Sequence, residues 1–163
     1  MKSMLTLSAA LFATVLLNAQ GAAPARGQAA AAPVAPPQPL TEVVFFDHTK
    51  VADFLAKGGT MQAAPDFLVQ GSHRAVNGQV EVHDKETDVI YIVEGAADFV
   101  TGGTMVGGKS SRPGQWLGTD ITGGKMQHLV KGDVIIVPAG IPHWFKTLTT
   151  PEISYYVVKV VKP

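Results

Sequence analysis

The sequence predicts an all-β sandwich or barrel with one short helix at its edge, and three observations carry that expectation. Apolar, β-branched runs recur at 67–69, 89–93, 98–100, 134–137 and 153–161, each short and bounded by Gly, Asn or Pro. Only one segment has both a helical start and a helical stop: Asp47-His48-Thr49 can cap a turn that continues through Val51, Phe54 and Leu55 until Gly58-Gly59 ends it. The chain has 163 residues and is 46% apolar, which is one domain's worth of core rather than two.

Taken in order, Met1, Lys2 and Ser3 precede an uncharged apolar stretch from Leu5 to Leu17, followed by small residues through Ala23. This pattern is a secretory signal, expected over residues 1–22. A membrane-spanning helix needs roughly 18 or more apolar residues, more than this run supplies, so no stable membrane anchor is expected. The mature protein is therefore expected to be exported, to the periplasm or the extracellular space. Residues 23–40 are nearly all Ala, Pro and Gln with the single basic Arg26. They cannot bury a core and read as a flexible tether, so the folded domain is expected over 41–163.

Within that domain, Thr41-Glu42-Val43-Val44-Phe45-Phe46 reads as a first strand, followed by the short helix and then by strands only. The stretch from Gly102 to Gly124 is polar and glycine-rich and reads as hairpin turns and a surface loop. Its glycine pairs match no phosphate-binding pattern and lack the following helix that such a loop requires. Lys plus Arg number 13 and Asp plus Glu 13, so no excess charge draws the chain to nucleic acid. Cysteine is absent, which removes a disulfide scaffold, a thiolate metal site and a thiol nucleophile together. Any metal must be held by His, Asp or Glu.

Two stretches could carry chemistry. In Glu81-Val82-His83, residues two apart share a strand face, so Glu81 and His83 project together. A turn over Asp84 to Thr87 would send the chain back, with Asp88 across from that pair and Ile90 and Ile92 continuing its face. Asp88 reads equally as a ligand or as a cap of this turn. In the second stretch, Val134-Ile135-Ile136-Val137 reads as a buried strand ending in Pro138-Ala139-Gly140, a turn that delivers His143 with Phe145 on the same face. His48, His73 and His128 fall in a capping, a turn and a strand-edge context and are expected to be solvated.

These residues resemble the cupin family. Gly132, Pro138, Gly140 and His143 match its second motif, G-x5-P-x-G-x2-H. The first motif, H-x-H-x3-4-E-x6-G, is resembled by Glu81, His83, Asp88 and Gly95. The chain departs from that pattern in four places: Glu81 replaces a histidine, Asp88 a longer carboxylate, Ala75 an opening Gly, and Thr147 a frequent Asn. The resemblance implies a jelly-roll β-barrel. It also implies a divalent transition metal held by Glu81, His83, Asp88 and His143, with Fe, Mn, Zn and Ni equally compatible with such donors. An exported metal-dependent enzyme of dioxygenase, isomerase or lyase type, acting on a small organic molecule, is the leading expectation, and no residue is singled out as catalytic. The alternative is a non-catalytic cupin module that binds a small ligand or a metal. A homodimer is expected, since Val43 to Phe46 offers an apolar edge that one barrel would have to protect.

Overall fold

The computed structural model describes residues 36–162, so the expected signal and most of the expected tether, residues 1–35, lie outside the described residues. Helix α1 (His48–Lys57) forms where the capping residues place it. The Asp47 carboxylate accepts from the Lys50 backbone N–H at 2.9 Å, and the Gly58 N–H donates to the Phe54 carbonyl at 2.8 Å with a positive φ of 72°. Thr41 to Phe46 is not the expected strand. A strand needs a ladder partner, and this segment pairs with none, even though β1 (Gly59–Ala63) is an edge strand, so Val43 and Phe45 are left exposed.

Two antiparallel sheets face one another. The first has five strands in the order β1, β2 (Phe67–Arg74), β13 (Ile153–Val161), β4 (Glu86–Glu94), β11 (Val134–Val137). The second has six, in the order β10 (Lys125–Val130), β5 (Ala96–Thr101), β12 (His143–Leu148), β3 (Val80–His83), β8 (Gln115–Gly118), β7 (Lys109–Arg112). This is the expected jelly roll, but the sheets are not closed into a barrel. The chain passes between them through turns such as Asp84-Lys85, so side-chain packing rather than a continuous ladder joins the two layers. A two-stranded ribbon, β6 (Thr104–Val106) with β9 (Asp120–Thr122), completes the described strands. The glycine-rich stretch from Gly102 to Gly124 thus holds four short strands, β6 to β9, with an expected hairpin turn between β7 and β8 but no long surface loop. Its apolar positions, such as Met105, Trp116 and Ile121, are too few per strand to show in the sequence.

The core lies between the sheets. Ile90, Ile92, Phe99, Phe145, Ile153, Tyr155 and Val157 are buried there, and Phe145 touches both Phe99 (ring centroids 4.6 Å apart) and Tyr155 (4.7 Å). Period-two alternation explains the layer: β4 turns Glu86, Asp88, Ile90 and Ile92 inward, and β13 turns Ile153, Tyr155, Val157 and Lys159 inward. β11 is an edge strand rather than a buried one, with Val137 inside and Val134 and Ile136 facing out. Helix α1 lies across β2 at Gly71, where a Cβ atom would come within 2.7 Å of the Phe54 carbonyl; only glycine permits that approach. Among the described residues, no helix is long and apolar enough to cross a membrane.

Candidate metal centre

β3 and β4 do not form the hairpin that the sequence suggests. After the Asp84-Lys85 turn the chain crosses from the six-stranded to the five-stranded sheet, so Asp88 meets His83 across the sandwich interior and not along a ladder. His143 arrives from β12, opposite Glu81 in the β12–β3 pairing. Its approach turn is pinned by the Gly140 N–H, which donates to the His83 carbonyl at 2.7 Å, with Gly140 at φ 82°. Asp88 forms no turn cap; it is buried and faces the imidazoles.

The donors converge. His83 Nε2 lies 3.3 Å from Asp88 Oδ2 and 3.6 Å from Glu81 Oε2, and His143 Nε2 lies 3.6 Å from Asp88 Oδ2. Ligands held at about 2.1 Å around a tetrahedral cation lie roughly 3.4 Å from one another, so each of these pairs is spaced as two ligands of one metal are. Donor atoms of Glu81, His83 and His143, and separately those of His83, Glu86 and Asp88, fall within 4.8 Å of one another. The imidazoles are oriented for this task. His143 Nδ1 sits 3.1 Å from the Ile141 carbonyl, and His83 Nδ1 faces Glu86 Oε2 at 3.6 Å, which leaves both Nε2 atoms toward the centre. Neither His83 Nδ1 nor Glu86 Oε2 has a hydrogen-bond partner, though Lys159 Nζ lies 3.5 Å from Glu86 Oε2.

Three side chains that sequence reasoning missed complete the site. Lys159 is 7% exposed, and its Nζ donates toward His83 Nε2 and both Asp88 oxygens, each at 2.8 Å. The signal was present: Lys159 continues the inward series Ile153, Tyr155, Val157, where a charged residue is out of place. Arg74 on β2 donates to the Tyr155 hydroxyl at 2.9 Å and to Glu81 Oε1 at 3.4 Å, and Gln115 donates to Glu81 Oε2 at 3.3 Å. Glu81 is thereby held by two donors at the wall of a cavity of about 230 Å³, lined also by Gln79, His143, Tyr155 and Lys159.

Electrostatics follows from burial and partners. Burial lowers the His143 pKa despite the neighbouring Asp88 carboxylate, so the imidazole favours its neutral, ligating form. Burial alone would raise Asp88, but the neighbouring His83 ring and the charge and hydrogen bonds of Lys159 outweigh it, and its carboxyl is held below the usual range. The other histidines stand apart. His48 is exposed on α1 and His128 is exposed on β10, 2.8 Å from Asp98; His73 is not in a turn but within β2, half-buried against Ser154.

A double-sheet jelly roll with imidazole and carboxylate donors gathered in its interior defines a double-stranded β-helix protein with a candidate metal centre. A family model described as Cupin matches residues 69–163, more than half of the chain, and the chain belongs to the cupin family. Among solved structures, a Bacillus halodurans protein is similar at 13% identity over 80% of this chain and 88% of its own, with a TM-score of 0.54. A Klebsiella pneumoniae protein with a double-stranded β-helix domain is similar at 16% identity over 74% of this chain and 91% of its own, with a TM-score of 0.50. The cupin domain of Schizosaccharomyces pombe Cnp3 is similar at 13% identity over 64% of this chain, which spans 60% of that structure, with a TM-score of 0.48. No curated protein matches the sequence.

Proposed function

We propose that this cupin binds a divalent transition metal at Glu81, His83, Asp88 and His143 and acts on a small organic molecule admitted through the cavity beside them. The observation that supports this most is the orientation of the two buried imidazoles, whose Nδ1 atoms face Ile141 and Glu86 while both Nε2 atoms face the carboxylates. Bound there, a cation of this class polarises a carbonyl or hydroxyl oxygen or supports chemistry with O2. The chain's own groups do the rest. Arg74, fixed by Tyr155 and Glu81, presents positive charge to the cavity and favours a polar or anionic small molecule. Glu81, held at the cavity wall, can take or return a proton. In this reading the protein works after export, in the periplasm or outside the cell, and Fe, Mn, Zn and Ni remain equal candidates.

A second reading, a cupin that binds a small ligand without catalysis, is favoured by one observation: Lys159 already neutralises Asp88 in the interior. Elemental analysis of the purified protein, repeated after incubation with Fe, Mn, Zn and Ni, tests the metal on which the first reading depends. A stoichiometric transition metal is expected, and a protein that stays empty after every incubation would remove the metal-dependent reading.

A further inference from the structure

We propose that Lys159 is a built-in competitor for the metal: its ammonium holds the place between His83 and Asp88, and a divalent cation reaches His83 only by displacing it. The inference rests on the metal-binding reading above and names the residue that governs occupancy of that site.

The placement of Lys159 follows from the strand that carries it. β13 is ladder-bonded on both sides, with Lys159 opposite Leu68 of β2 and opposite Asp88 of β4. Neither register can slip without turning Ile153, Tyr155 and Val157 out of the core. The side chain therefore enters the interior at a fixed height beside the donors. An ammonium has three N–H donors, and three acceptors lie 2.8 Å away: His83 Nε2, Asp88 Oδ1 and Asp88 Oδ2.

Competition follows from the donor chemistry. A neutral imidazole nitrogen has one lone pair in the ring plane, so His83 Nε2 can accept from Lys159 or ligate a metal, but not both. Asp88 is engaged through both oxygens, and a divalent cation beside the ammonium would also meet a like charge in a site shielded from water. Glu81 and His143 are left free of Lys159, so they form the half of the site open to a metal while Lys159 stays in place. Glu86 Oε2, 3.5 Å from Nζ and without a hydrogen-bond partner, is an acceptor within reach of a displaced ammonium. Its long, flexible stem makes such a move feasible, as a shorter basic residue would not.

The test compares chelator-stripped full chain with Lys159→Met and Lys159→Gln, titrated with Zn2+ and with Ni2+ against a chromophoric chelator. Met removes the charge and keeps the apolar stem. Gln also removes the charge, and its amide still donates to Asp88, so a folded protein remains should the Met variant be lost. Thermal unfolding without metal establishes which variants are folded. Removing the competitor is expected to tighten metal binding about tenfold or more, the scale on which groups adjoining metal ligands act. Equal or weaker binding in the folded variants would overturn the competition and leave the metal-binding reading standing. Absence of binding by every protein would remove the metal-binding reading itself, and this inference with it.

Discussion

Lys159 stands directly opposite Asp88 in the β13–β4 ladder, and its ammonium nitrogen lies 2.8 Å from each oxygen of that carboxylate. Both groups are buried, so each is the other's main compensation for leaving water. Such a pair contributes little net stability relative to an apolar one, yet removal of one partner strands the other charge. In metal-free protein, Asp88→Leu and Lys159→Met should each destabilise the fold by about 3 kcal/mol or more. The double variant should lose much less than the sum. Urea unfolding of the four proteins measures the coupling, and additive losses would show that the two side chains do not compensate one another.

Metal binding should divide the donors by type. His143→Ala removes a neutral imidazole and leaves a carboxylate-rich remnant that borderline metals hold less well, so affinity should fall by about tenfold or more. Glu81→Ala should lose less, because water can take its place at the cavity wall. Metal titration of both variants decides this, and unchanged affinity in each would place the metal elsewhere.

The contact between α1 and β2 has almost no clearance. Gly71→Ala would put a methyl group 2.7 Å from the Phe54 carbonyl, where helix backbone cannot yield as a flexible side chain would. Destabilisation of about 1–3 kcal/mol is expected, measurable by thermal melting, and a neutral effect would show that α1 shifts freely.

Export is tested at the N-terminus. Mass spectrometry of protein recovered outside the cytoplasm should find a first residue between Ala22 and Pro24, as the apolar run and the small residues after it dictate. An intact Met1 on that material would contradict the expectation.

Self-association is expected from the segment before α1. Val43 is 96% exposed and Phe45 is 81% exposed, a pair of large apolar side chains that a second copy can cover. Sedimentation should report a homodimer that Val43→Asp with Phe45→Asp disrupts; a monomer at high micromolar concentration would count against it.

The strands at the heart of the fold were legible because alternation is written locally. Ile90 and Ile92 on β4 and Ile153, Tyr155 and Val157 on β13 announce an inward face without any knowledge of partners. The caps of α1 were equally legible, since Asp47 and Gly58 act on their own backbone. The strands between Gly102 and Gly124 were not, because three- and four-residue strands owe their existence to the neighbours they pair with.

For the candidate site, the sequence by itself determined the chemistry available: with no cysteine, imidazoles and carboxylates had to serve, and the spacing around His83 and His143 singled out the two histidines that the interior gathers. What only the tertiary structure decided was which groups share that interior. Sequence suggested that Asp88 would meet His83 across a hairpin, whereas the two strands belong to opposite sheets and meet face to face. Lys159 lies 76 residues from His83 along the chain, and its 2.8 Å approach arises from the pairing of β13 with β4. Local periodicity could mark it as an inward lysine, but a strand's pattern records only which face is buried. The partner on the other side of that face is set by register and sheet order, which are properties of the whole chain.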